Sequence, residues 1–319
     1  MPVFPEKEAM VNILVTGGCG NMGGRVVEVL AKEGHKVRVL DKNEEGLKAL
    51  QQPGVETLCG DISDQAVVQK AVEDMKAIIH LAWSFSPGFS DLLDIDIKGY
   101  QYLLDAAVAN NVEHIINAGT AVAYGKPQCS PVDENHPHVI AQARKPAYAL
   151  AKLVTEEMGK VYSWKYPIAI NTVMIWYAYG DEIGGKHIRG MVKDALTKGE
   201  IVVPASCGGS FLQLDDFIDG AKRILEVKPR GELFNLSTVY LTWEELAQMI
   251  IAQANPQAKV VAVPREKWQG SSFLTDDWCF DISKAERILG YKTRLSREEA
   301  VKHLEGALKS CVAEVKSAC

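Results

Sequence analysis

The chain has 319 residues, 47% of them hydrophobic and 24% charged, with a formal net charge of −6. This balance excludes a disordered or fibrous chain and gives no electrostatic reason to expect nucleic acid or an anionic membrane as a partner. Seven scattered cysteines, odd in number and without a C-x-x-C pair, point to free thiols in a reducing cytosol, not to a disulfide framework or a zinc site.

At the start of the chain, Met1 to Met10 carry two prolines and three charges, which is not the pattern of a signal peptide. A branched apolar run, Val11–Val15, then meets the cluster Gly17, Gly18, Gly20, Gly23 and opens into a helical pattern over Asn21–Glu33. Strand, glycine turn and helix N-terminus in that order form a cradle for a pyrophosphate, because first-turn N–H groups and the helix dipole favour negative charge. The next strand, Lys36–Leu40, runs into Asp41, an acid placed to accept hydrogen bonds from both hydroxyls of an adenosine ribose and to repel a 2′-phosphate. NAD is therefore expected over NADP, with the Lys42 cation keeping the second option open.

Further strands are expected at Val55–Cys59, Ala77–Ala82, His114–Asn117 and Ala169–Trp176, separated by helices Gln65–Asp74, Leu92–Ala109 and Pro146–Tyr166. Such alternation implies an α/β fold, a Rossmann-type doubly wound parallel sheet with helices on both faces, and ligands beyond the carboxyl ends of the strands. After Trp176 the pattern changes to helices His187–Lys198, Asp215–Val227, Trp243–Ala254 and Arg297 to about Val315, with short strands between. Ser296 and Glu299 make a capping box for the last of these. The expected organisation is an NAD-binding domain over 1–180, completed by about 210–238, and a smaller C-terminal substrate lobe over 181–319. No apolar run reaches membrane-spanning length; Ile168 to Tyr179 comes nearest, interrupted by Asn171 and Thr172.

Three further residues carry chemistry. Tyr148 and Lys152, four residues apart, share one helix face. A positive charge ~4 Å from a phenol, at an effective dielectric of ~20, is worth about 4 kcal/mol or roughly 3 pK units, which brings the phenol toward neutrality. Taken alone, the pair also fits a solvated helix face. Thr120 follows the fifth strand and can orient a substrate oxygen toward Tyr148, or simply satisfy the turn around Gly119.

Together these residues resemble the short-chain dehydrogenase/reductase superfamily, closest to its extended branch, the NAD-dependent epimerase/dehydratase family. The resemblance covers about residues 11–295. Thr16-Gly17-Gly18-Cys19-Gly20-Asn21-Met22-Gly23 matches T-G-x-x-G-x-x-G, and Gly60-Asp61-Ile62 matches the adenine-contacting acid after the third strand. His80-Leu81-Ala82-Trp83 matches the cofactor-lining run after the fourth, and Thr120 to Gly125 the segment with the catalytic hydroxyl. Pro131-Val132-Asp133-Glu134, Phe211 to Asp216, Phe280 to Ala285 and Leu289-Gly290-Tyr291 match later landmarks. The resemblance implies that Tyr148 is the acid/base, that Lys152 holds the nicotinamide ribose, and that Thr120 orients the reacting oxygen. It also implies a homodimer through a four-helix bundle of Leu92–Ala109 and Pro146–Tyr166, whose surplus apolar residues include Tyr100, Leu103, Leu104 and Ala107.

Several family positions that handle a nucleotide sugar are changed. Met174-Ile175 stands for Arg-Pro, Tyr177 for an asparagine, and Gly209 for the arginine that grips a diphosphate; Asp96 replaces an asparagine. Aromatic residues Trp83, Phe85, Trp176 and Tyr177 fall at strand ends, where they line a pocket or pack the core, and Arg144-Lys145 is an anion contact or a solvated loop. His80, His114 and His136 have no metal-ligand spacing, so no metal is expected. The expected activity is NAD-dependent hydride transfer at a secondary alcohol or ketone carbon of a small, non-nucleotide substrate. The alternatives are a nucleotide-sugar epimerase or dehydratase, and a non-catalytic dinucleotide sensor.

Overall fold

The computed structural model describes residues 10–86 and 88–318. All of Met1 to Met10 but its last residue lies outside these, as does Cys319. Two compact units interleave along the chain. The first runs from the start of the described chain to Gly119 and adds Leu150–Val173 and Ile224–Leu233. The second comprises Thr120–Ala149, Met174–Arg223 and Phe234 onward. Each unit draws on segments from both sides of residue 180.

The first unit is built on strands β1 (Asn12–Thr16), β2 (Lys36–Asp41), β3 (Val55–Cys59), β4 (Ala77–His80), β5 (His114–Ala118) and β6 (Ala169–Met174). The seven-stranded sheet has the order β10-β6-β5-β4-β1-β2-β3, where β10 is Leu233–Asn235, and the pairings from β3 through β6 are all parallel. Strands β1, β4, β5 and β6 are buried along most of their length because helices cover both faces, whereas the edge strand β3 is only partly buried. Those helices are α1 (Gly23–Lys32), α2 (Glu44–Ala49), α3 (Gln65–Val72), the single turn α4 (Phe89–Asp91), α5 (Lys98–Ala109) and α6 (Pro146–Lys165). Leu14, Ile78, Ile115 and Ile170 from the strands pack with Val68, Tyr100, Leu103 and Leu104 in one core. Strand order reverses between β1 and β4, the switch point at which ligands bind in such sheets.

The expected helix Leu92–Ala109 is not uniform. Leu92–Ile97 is a π-helical turn leading into α5, and it holds Asp96 buried. Similarly, the expected strand Ala169–Trp176 stops at Met174, and the chain restarts as β7 (Tyr177–Tyr179) in a different sheet.

The second unit contains α7 (Lys186–Thr197), β8 (Glu200–Pro204), β9 (Gly208–Gln213), most of α8 (Leu214–Val227), β11 (Val239–Thr242), α9 (Trp243–Ala254), β12 (Lys259–Val263), α10 (Ser283–Leu289) and α11 (Arg297–Ala318). Here β11, β9 and β7 form one small sheet, and β12 pairs with β8 in another. Ser296 and Glu299 do form the capping box that opens α11, with reciprocal contacts of 2.9 and 3.3 Å. A second box, Thr242 with Glu245, opens α9.

Candidate active site

The glycine turn after β1 is closed too tightly for any side chain at two positions. Gly17 has φ +72°, and a Cβ there would lie 2.7 Å from Ala82 N. A Cβ on Gly23 would lie 2.3 Å from Gly17 O. The turn delivers the N-terminus of α1, which has neither a side-chain cap nor an acid in its first turn. The positive end of its dipole therefore meets the turn without a side-chain acceptor, an arrangement that favours an anion. Asn21 and Met22 lie at the tip of this turn, beside Gly20.

A cleft opens beyond the carboxyl ends of β1 to β4, lined by Thr16, Gly17, Asp41, Lys42, Asp61, Ile62, Ala82 and Trp83, among others. Asp41 is fixed by two backbone donors, Cys19 N at 2.9 Å and Asn43 N at 2.9 Å. Lys42 Nζ sits 3.9 Å from Asp61 Oδ2, so its charge is partly answered within the chain. Leu81 N donates to Thr16 O (3.1 Å), and Ala82 N to Thr16 Oγ1 (3.3 Å), tying β4 to β1. Thr16 Oγ1 also shares a hydrogen bond with His80 Nδ1 at 2.8 Å. Burial, reinforced by Lys152, pushes His80 down to about 3, and its ring stacks on Tyr100. This histidine is a neutral, buried group held by Thr16 and Tyr100. The cleft therefore fits a dinucleotide: a phosphate cradle without Cβ atoms, an uncapped helix end, and an acid after both β2 and β3.

Lys152 is the buried cation of this unit. Its Nζ donates to Ala118 O at 2.9 Å and lies 3.7 Å over the Trp83 ring. Burial pushes its pKa down to about 7, against the opposing pull of Asp96. Asp96 in turn accepts from Ser84 N (2.7 Å) and Ser84 Oγ (2.6 Å), while burial holds its pKa above the ordinary carboxylate range. The part played by Ser84 has no signature in the sequence; it becomes visible only when the π-helical turn brings Asp96 to the end of β4.

In the second unit, Thr120 caps the 3-10 turn Ala121–Tyr124 by accepting from Val122 N at 3.4 Å. The turn is pinned by Ala121 N to Ile175 O (2.9 Å) and by the Tyr124 hydroxyl to Asn235 Oδ1 (2.8 Å). Tyr148 is half-buried and packs with Ile140 against Val122, Ala143 and Ala149. Lys152 follows Tyr148 by one turn of the continuous helix α6.

The expected pocket aromatics divide. Trp83 lines the cofactor cleft, but Phe85 is 75% exposed and lines neither described cavity. Trp176 packs among Tyr177, Phe211, Trp243 and Phe273, stacking on the last at 5.5 Å. A Cβ on Gly209 would lie 2.5 Å from the Trp176 ring, so the indole occupies the space that a side chain at 209 would need. Tyr177 donates its hydroxyl to Gly184 O and lines a cavity with Arg144, Lys145, Lys186 and His187. Sequence spacing pairs only Arg144 and Lys145; Lys186 and His187 arrive from a separate helix.

Fold and cleft together define a Rossmann-type dinucleotide-dependent enzyme. The family model described as the NAD dependent epimerase/dehydratase family matches residues 13–237, and the chain belongs to that family. A putative UDP-glucose 4-epimerase of Methanocaldococcus jannaschii is 28% identical over 93% of this chain and 98% of its own length. A UDP-glucose 4-epimerase of Lactobacillus helveticus is 26% identical over 89% and 92%. Among solved structures, Bordetella bronchiseptica WbmG in complex with NAD superposes with a TM-score of 0.78 at 19% identity, covering 98% of both chains. The chain is thus an NAD-dependent enzyme of the extended short-chain dehydrogenase/reductase type, which sets aside the non-catalytic sensor.

Proposed function

We propose that the protein is an epimerase or dehydratase of nucleotide sugars, working by transient oxidation at a secondary alcohol carbon. This replaces a small non-nucleotide substrate as the first reading, because relatives matched along nearly their whole length are named for UDP-sugar chemistry. NAD, when bound, supplies the acceptor and donor of hydride. Tyr148 takes the proton from the substrate hydroxyl as the carbon is oxidised and returns it on reduction. Thr120 Oγ1 orients that oxygen, and Lys152 holds the nicotinamide ribose and supports the phenolate. The observation that carries the reading is the Gly17–Gly23 cradle with Asp41, read alongside a Tyr148–Lys152 pair on one helix. The protein is further proposed to be a cytosolic homodimer.

A second reading keeps a substrate without a nucleotide diphosphate. It is favoured by one observation: Trp176 fills the space above Gly209, where the resemblance leads one to expect a diphosphate-gripping arginine. The test is incubation with UDP-glucose, UDP-galactose, UDP-glucuronate and dTDP-glucose, alongside free sugars and sugar acids. Products are read by NMR and mass, because an epimerase regenerates its cofactor and shows no net NADH. Conversion confined to the nucleotide-free panel would replace the first reading with the second.

A further inference from the structure

The second unit holds an open cavity of about 500 Å³ whose lining is cationic. Arg144 and Lys145 reach it from the segment before α6, and Lys186 and His187 from the first turn of α7, with Ser271 and Phe273 completing the wall. The Arg144 guanidinium lies 4.7 Å over the Phe273 ring, and His187 stacks on the same ring at 4.3 Å. Arg144 is half-buried, yet it makes no hydrogen bond or ion pair among the described residues. None of its nitrogens is among the buried unpartnered atoms, so its five N–H donors still reach solvent at the cavity and are available to a ligand. Asp276 and Tyr148 are the acidic groups that act on it electrostatically, and neither forms an ion pair with it.

Two further features have the same polarity. α7 has Gly185 at its N-cap, with no side-chain cap and no acid in its first turn, so the positive end of its dipole also favours an acceptor. Lys145 and Lys186 have no ion-pair partner among the described residues. In a chain of net charge −6, this is a local excess of cations around a concave space. A planar guanidinium backed by point-charge ammonium groups suits phosphoryl oxygens.

We infer that this cavity binds a phosphoryl group of the substrate, with Arg144 as its bidentate anchor and Lys186 and the α7 N-terminus as supporting donors. The inference rests on the nucleotide-sugar reading for the identity of the ligand, but its binding test does not need turnover. Inorganic pyrophosphate, inorganic phosphate and D-glucuronate are titrated calorimetrically into the NAD-loaded protein and into Arg144→Gln and Lys186→Ala. Pyrophosphate should saturate the wild type, weaken as salt rises, and lose about 10–100-fold in affinity in Arg144→Gln, the range set by loss of charge-assisted hydrogen bonds. Lys186→Ala, an exposed position, should lose a smaller factor, and an unchanged NAD titration in both variants verifies their fold.

Equal pyrophosphate affinity in Arg144→Gln and wild type overturns the inference. So does absence of saturation up to about 10 mM in the wild type, or binding of glucuronate alone. Pyrophosphate binding that depends on Arg144, without conversion of any nucleotide sugar, leaves the site standing and removes the substrate reading. Conversion of a nucleotide sugar with an unchanged KM in Arg144→Gln does the reverse.

Discussion

Lys152 carries opposing demands: burial under Trp83 disfavours its charge, and the chemistry proposed for Tyr148 needs that charge nearby. Its pKa in the folded chain, about 7, lies below the ordinary 10.5. Between those values the unfolded chain binds more protons, so this group makes stability rise with pH, and its full penalty applies below about pH 7. Lys152→Met removes the titration. In the cofactor-free protein, its melting-temperature advantage over wild type should be greatest near about pH 6 and fade toward about pH 10. An advantage that is flat with pH would show that Lys152 is not the buried titrating group. Tyr148→Phe loses only a transferable proton; it should abolish turnover and leave NAD affinity nearly intact, as read by single-turnover assay and calorimetry. Asp41, locked by two backbone donors, should make NAD bind about tenfold tighter than NADP, about 1.4 kcal/mol. Parity in titration would shift attention to Lys42. The glycines, Asp41, Tyr148 and Lys152 were legible in sequence because each stands at a fixed offset from a strand or within one helix turn. Ser84 and the Lys186–His187 pair were not: Ser84 meets Asp96 through a π-helical turn that periodicity does not report, and Lys186 and His187 join Arg144 from a separate helix.

At the scale of elements, the departure at Gly209 is explained by its neighbour across the sheet edge. β9 passes Trp176 so closely that even a methyl group meets the ring. Gly209→Ala should therefore destabilise by about 1–3 kcal/mol through overpacking, measured by denaturant unfolding. In the background of Trp176→Ala the same change should cost much less, because the two residues share one space. Additive costs would mean that the indole and position 209 do not compete. The π-helical turn Leu92–Ile97 is the corresponding surprise in the first unit. Apolar periodicity through this stretch reads as ordinary helix, and nothing in that pattern reports a local i→i+5 ladder. The capping box at Ser296, by contrast, was readable from two residues alone, because its chemistry is local.

For the molecule as a whole, strand and helix alternation was enough to give the parallel sheet, since the central strands β1 and β4 carry apolar runs bounded by turns. The small sheets of the second unit escaped because β7 has three residues and pairs with β9, far along the sequence. Assembly tests the remaining whole-molecule expectation, and its sequence rationale needs correction. Tyr100, Leu103, Leu104 and Ala107 are fully buried in the core of the first unit and cannot form an interface. Their apolar character serves packing against the sheet. Other residues of the same two segments are exposed instead: Leu93 in the π-helical turn, and Leu150, Val161 at 54% and Trp164 at 88% on α6. Large apolar side chains left in water along one helix mark an interaction surface, and an isologous contact is the commonest way to cover one. Sedimentation should give twice the 35.0 kDa chain mass. Trp164→Glu, which buries a charge at the proposed contact, should shift the protein to monomer without lowering its unfolding temperature in dilute solution. A wild-type mass that stays at one chain across all concentrations would reject the dimer.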